Sequence, residues 1–287
     1  MTWHETINYI RKTPEYHQLV FDTYICEDLI DNVERFSKSK EFLETLSLIK
    51  KYQPEAHNIL DLGSGNGISA IAFAINGYSV TALEPDTSDT VGSGAIKKLI
   101  AHYNLQNVDI VESYAEDFAS KTNKKYDVVY ARQAMHHAYN LDQFVEVAAV
   151  VLKTGGIFFT VRDHVVKDDK EKDLFLQRHP LQKYYGGENA FTVEEYEGAM
   201  KKAHLNVALR LGHYDSVINF SPAPTSHINM KKLIKVAYKI VRPVAEFVLP
   251  ERLNMKFQNL VSADNLPGRL YSFIGVKKGD ILNNNNT

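Results

Sequence analysis

The chain has 287 residues, 44% hydrophobic and 24% charged, with a formal net charge of −2. That length holds one large α/β domain with additions or two modest domains, and the near-neutral balance argues against a nucleic-acid-binding surface. The single cysteine, Cys26, excludes an internal disulfide and fits a cytoplasmic setting; neither a signal peptide nor a membrane-crossing apolar run is expected.

Residues 1–52 are expected to be helical, because Phe36, Leu43, Leu46 and Ile49 recur near helical spacing among Lys and Glu. Tyr9, Tyr16, His17 and Tyr24 add an aromatic stripe expected to pack on the rest of the domain. The pattern changes at residue 57. Short apolar strands are predicted at 57–62, 78–83, 108–111, 126–131 and 157–161, with helices at 67–76, 91–104 and 141–152 between them. This alternation predicts βαβ units and a parallel sheet. A polar, aromatic loop follows, then a helix near 192–203, which Thr192 and Glu195 are spaced to cap. A sixth strand is predicted at 205–211 and a last one at 269–276. The expected organisation is an N-terminal helical cap (1–52), a Rossmann-like domain (53–220), a helical insertion or lid (221–267), the last strand (268–280) and a disordered tail (281–287).

The strongest local signal is Asp61-Leu62-Gly63-Ser64-Gly65-Asn66-Gly67, which ends a strand and opens a helix. Glycines there allow a tight turn and close approach of backbone to a nucleotide-like ligand. Glu84 ends the next strand, where a carboxylate can accept hydrogen bonds from both ribose hydroxyls. A nicotinamide dinucleotide is the competing ligand, since Gly65-Asn66-Gly67-Ile68-Ser69-Ala70 fits the relaxed fingerprint. Asp61 weighs against it, because a pyrophosphate favours bare helix N-terminal N–H groups without a neighbouring anion.

With these residues in place, the chain resembles class I S-adenosylmethionine-dependent methyltransferases of the small-molecule type. Asp61 to Gly67 resembles their first motif, and Leu83-Glu84-Pro85-Asp86 their ribose motif. Tyr114-Ala115-Glu116-Asp117-Phe118 resembles the adenine motif, although Tyr114 stands where an acid is common. Asp127 to Arg132 with Met135-His136-His137 resembles the fourth-strand motif, and Val151 to Gly156 the turn before strand five. The resemblance implies a seven-stranded, mainly parallel Rossmann-like sheet whose last strand is antiparallel. It also implies S-adenosyl-L-methionine as cofactor, held by Asp61, Gly63, Ser64, Gly65, Gly67, Glu84, Pro85, Tyr114, Ala115, Glu116 and Arg132.

Open α/β sheets bind ligands at the carboxyl ends of their strands, so the chemistry should follow strands four and five. His136 and His137 follow the fourth. Arg162, Asp163 and His164 follow the fifth, and His164 with Asp163 as its partner suits a general base for a hydroxyl acceptor. Arg162, His179, Tyr184, Tyr185, Glu188 and Asn189 are candidates to line the acceptor pocket. Asp163, His164 and His136 could in principle gather a divalent ion, but no tight ligand spacing points to a metal, and none is expected. The expected reaction is O-methylation of a small molecule, such as a natural product or sugar. An NAD(P)-dependent oxidoreductase and a cofactor-binding but inactive partner subunit are the alternatives. Residues 228–256 carry a basic face, with Lys231, Lys235, Lys239 and Arg242, that suits a lid or peripheral membrane contact. The sequence leaves the oligomeric state open.

Overall fold

A computed structural model describes residues 1–222 and 268–279. The helical insertion, its basic face and the C-terminal tail lie outside the described residues.

The core is a seven-stranded sheet in the order β3-β2-β1-β4-β5-β7-β6. Strands β1 (Asn58–Leu62), β2 (Ser79–Leu83), β3 (Val108–Val111), β4 (Tyr126–Arg132) and β5 (Leu152–Val165) are parallel neighbours. The last strand, β7 (Arg269–Lys277), runs antiparallel between β5 and β6 (Leu205–Leu211). This is the sheet the sequence led us to expect. The main boundary difference is β5, which extends well past residue 161 and carries Asp163 and His164 inside the strand rather than in a following loop.

Helices cover both faces. Strand alternation divides the apolar residues between them: Val128 and Tyr130 of β4 face one layer, Val129 and Ala131 the other. The first layer holds α5 (Ile68–Ile75), with α3 (Leu29–Ser37) and α4 (Lys40–Tyr52) from the N-terminal region. Phe36, Phe42 and Ile49 share its core with Ile71 and Phe73, so this part of the N-terminal region is continuous with the sheet domain. α5 is apolar almost all round because it is buried almost all round. The second layer holds α8 (Leu141–Val151) and α10 (Val193–Lys202), through Phe144, Tyr196 and Met200. α10 begins with a complete capping box between Thr192 and Glu195.

A smaller cluster docks α1 (Trp3–Arg11) and α2 (His17–Asp22): Ile7, Ile10, Tyr16 and Val20 meet Val91 and Leu181. Among the described residues no helix is long and apolar enough to cross a membrane.

Candidate active site

The glycine loop turns β1 into α5 through three left-handed residues: Gly63 (φ 76°), Gly65 (φ 55°) and Gly67 (φ 83°). Each has a separate reason to be glycine. A Cβ on Gly63 would lie 3.0 Å from the Cβ of Ala134, so this glycine lets the loop after β4 pack on the loop after β1. A Cβ on Gly67 would lie 2.8 Å from Ile96 of α6 (Ser93–Tyr103). A Cβ on Gly65 would meet nothing nearer than the Val91 carbonyl at 4.0 Å. Gly65 therefore borders open space, the kind of cradle a ligand fills. The backbone N–H groups of Gly63 and Ser64 both donate to the Leu83 carbonyl, which locks the loop to the end of β2.

Glu84 is buried at that strand end. Its carboxylate accepts the Gly65 N–H at 2.6 Å and the Asp86 N–H at 2.9 Å, one on each oxygen. Burial raises its pKa to about 7. Asp61 lies beneath the loop, and burial also raises its pKa to about 7. Its Oδ2 is buried without a hydrogen-bond partner. A ligand with ribose hydroxyls and a cationic end fits these two carboxylates; a pyrophosphate does not. Pro85 is exposed beside Glu84. Tyr114 is 66% exposed and precedes α7 (Ala115–Lys121), whose first residues Ala115 and Glu116 are half-buried. Asn66, which the sequence did not single out, donates to the Tyr24 carbonyl at 2.8 Å and ties the loop to the N-terminal region.

Two arginines expected at the site are committed elsewhere. Arg132 was expected to hold cofactor, but its guanidinium makes a two-point contact with Glu41, at 2.6 and 3.2 Å. Arg162 was expected to meet the acceptor, but it is buried and donates to the carbonyls of Ile218 and Ser221, with Glu41 at 3.5 Å. Glu41, in the first turn of α4, looks like an ordinary surface acid in the sequence. It is 1% exposed and joins α4 to the ends of β4 and β5.

A bulge reshapes β5. Register shifts between Thr160 and Asp163, and Arg162 sits at φ 64°, held by Ser272, whose hydroxyl accepts its N–H. The extra residue moves the side-chain alternation by one, so Asp163 occupies the face that Arg162 would take in a regular strand. Asp163 then partners His136, not His164 as the sequence suggested. Its Oδ1 accepts the His136 backbone N–H at 3.0 Å and lies 3.0 Å from His136 Nδ1. Burial raises the Asp163 pKa to about 8 and holds that of His136 well below its usual value. Both shifts favour the neutral forms, so burial works against an ion pair at this contact. His164 instead donates from Nδ1 to the Gly268 carbonyl at 2.6 Å. Burial lowers its pKa to about 3, too acidic for the base expected there.

Four histidines converge where β4 and β5 end. The His136 ring centre lies 4.1 Å from that of His137 and 4.7 Å from that of His164; His179 is 5.5 Å from His164. His137 donates from Nδ1 to the Gly187 carbonyl at 2.8 Å, and its residue is exposed. Desolvation lowers its pKa, and the bond to Gly187 opposes that shift. Burial lowers His179 to about 4 and raises Glu188 to about 7.

The loop from 179 to 190 lies between the histidines and the ribose end. Burial raises the Tyr185 pKa, and Glu188, Tyr114, Glu84 and Asp86 add to the shift. Trp3 packs edge-on to Tyr185, with ring centres 5.3 Å apart. Tyr184 meets Tyr16, hydroxyl to hydroxyl, at 3.4 Å. The Asn189 side chain accepts the Ala190 N–H and shapes the loop. His4 Nδ1 lies 2.6 Å from the Thr90 hydroxyl, so α1 touches both this loop and the one behind Glu84.

A family model described as a methyltransferase domain matches residues 21–209. The chain belongs to this methyltransferase family. It is a class I methyltransferase with S-adenosylmethionine as cofactor, and the nicotinamide alternative falls away. The methyltransferase is 31% identical over 112 residues to a ubiquinone biosynthesis O-methyltransferase of Saccharophagus degradans, covering 39% of this chain and 46% of that one. It is 26% identical over 181 residues to ribosomal RNA small subunit methyltransferase G of Mesoplasma florum, covering 58% and 70%. For the first of these, the match spans about half the relative's length. A Streptomyces coelicolor geranyl diphosphate C-methyltransferase, crystallised with Mg2+, geranyl diphosphate and S-adenosylhomocysteine, shares the fold at TM-score 0.55 and 12% identity, covering 83% of this chain and 78% of that one.

Proposed function

We propose that this methyltransferase acts on a hydroxyl group of a small-molecule acceptor, with His137 as the general base. The carrying observation is the contrast among the four histidines. His136, His164 and His179 are less exposed to solvent than His137, and the pKa values of His164 and His179 fall to about 3 and about 4. His137 alone combines an exposed position with a fixed tautomer. The Gly187 carbonyl only accepts, so Nδ1 of His137 carries the proton and Nε2 keeps a free lone pair.

When bound, S-adenosylmethionine supplies a methyl group on a positively charged sulfur, open to displacement by a nucleophile. Glu84 would accept from the ribose, Asp61 would face the cationic end, and Gly65 would leave the space. His137 takes the acceptor's hydroxyl proton on Nε2. The O-methyltransferase among the relatives supports an oxygen acceptor. The net charge of −2 argues against the RNA substrate named for another.

The test is formation of S-adenosylhomocysteine with panels of small alcohols and phenols, small amines, and ribosomal RNA. Turnover with the hydroxyl panel is expected, and His137→Ala should lower kcat by roughly 10²–10⁴-fold while cofactor affinity stays native. Turnover on RNA or amines alone, or an unaffected His137→Ala, overturns the reading.

A further inference from the structure

The deep histidines remain unexplained by proton transfer. His136 gives Nδ1 to Asp163 and His164 gives Nδ1 to the Gly268 carbonyl. Both rings are thus oriented through Nδ1, with the Nε2 lone pair free; neither Nε2 has a hydrogen-bond partner among the described residues. Between them stands Glu188. It is 7% exposed, yet its carboxylate accepts no hydrogen bond among the described residues; His136 Nε2 is 3.9 Å from Oε2 and His179 Nδ1 is 3.6 Å from Oε1. The His179 Nδ1 is itself buried without a hydrogen-bond partner. Lone pairs of two imidazoles and an unpaired buried carboxylate facing one another lack a shared positive partner.

We propose that His136, His164 and Glu188 bind one divalent transition-metal ion. One ligand atom from each lies within 4.8 Å of the others. Ligands about 2.1 Å from a shared ion stand roughly 3.0–3.5 Å apart, so closure needs shifts on the order of 1 Å. Two imidazoles and a carboxylate suit Zn2+, Fe2+, Mn2+ or Co2+ better than Mg2+, and three protein ligands leave positions open. The outer contacts fit as well. Metal-ligating histidines give their second N–H to a carboxylate or a backbone carbonyl, which are the roles of Asp163 and Gly268 here. The sequence hid this set because its members come from three separate segments.

The catalytic consequence rests on the reading of this cluster as the acceptor side. An acceptor hydroxyl held at an open position would be more acidic, and Nε2 of His137 would be the group to take its proton. The binding itself is measurable without turnover. Chelator-stripped protein is titrated calorimetrically with Zn2+, and separately with Co2+, whose visible absorption reports its ligands. One ion per chain is expected, and Zn2+ should raise the Tm where Mg2+ does not. His164→Ala and Glu188→Gln should each weaken Zn2+ binding by roughly tenfold or more, with native binding of S-adenosylhomocysteine showing that the variants fold. Native protein that takes up no ion, or folded variants with native affinity, overturns the metal site and leaves the His137 reading standing. Metal binding with no effect of His137→Ala on turnover does the reverse.

Discussion

Asp163 and His136 meet through a single carboxylate oxygen. Oδ1 receives the His136 backbone N–H and faces its Nδ1, while Oδ2 is buried with no partner. Burial raises Asp163 to about 8, which favours the neutral pair. Asp163→Asn keeps the accepting oxygen and should change stability by less than about 1 kcal/mol. Asp163→Ala orphans two buried donors and should cost about 1–3 kcal/mol. Denaturant titration of both variants decides; a loss of several kcal/mol in Asp163→Asn would show an ion pair instead.

Gly65 and Gly67 should separate ligand binding from folding. Gly65→Val places a side chain in the open space by the loop and should eliminate binding of S-adenosylhomocysteine, with some strain from its positive φ. Gly67→Ala presses on Ile96 in a left-handed position and should cost about 1–3 kcal/mol of stability. Calorimetry and thermal melts read the two effects. Native cofactor affinity in Gly65→Val would remove the loop from the cofactor site.

The cofactor carboxylates should make binding depend on pH. Asp61 and Glu84 are both raised to about 7. Their contribution to the stability of the cofactor-free fold is complete below the ordinary carboxylate range and is lost as pH rises through about 7. The ligand's ribose and amino groups favour the ionised forms, so binding releases protons. The Tm increase given by saturating S-adenosylhomocysteine should therefore be larger at about pH 8 than at about pH 6. Glu84→Ala should weaken binding by about 1–3 kcal/mol and flatten that dependence. An equal shift at both pH values would mean the carboxylates do not ionise on binding.

Glu41 should matter more than its place in the sequence suggests. Removing it leaves two buried guanidinium groups without their counter-charge, and Glu41→Ala should cost about 3–5 kcal/mol. Glu41→Ala combined with Arg132→Met should recover part of that loss, as a double-mutant cycle will show. A cost below about 1 kcal/mol would reduce the triad to a surface-like pair.

The sequence made legible whatever depended on neighbours along the chain. The run from Asp61 to Gly67, the acid ending β2 and the capping box at Thr192 are all local patterns, and each is found where its spacing put it. The partner of Asp163 was not legible. A regular strand would have placed Asp163 differently, and the bulge is held by Ser272, Ile218 and Ser221, far along the chain from Arg162. For the same reason Arg132 and Arg162 read as free cations. Nothing near either residue announces that Glu41 reaches them from α4.

The contacts of α1 have a consequence for both ends of the site. Through Thr90 it leans on the wall behind the ribose, and through Tyr185 on the wall before the histidines. One short helix thus braces both. A displacement of α1 would disturb both contacts at once, so changes at Trp3 or His4 should be felt at the ribose end and the histidine end together.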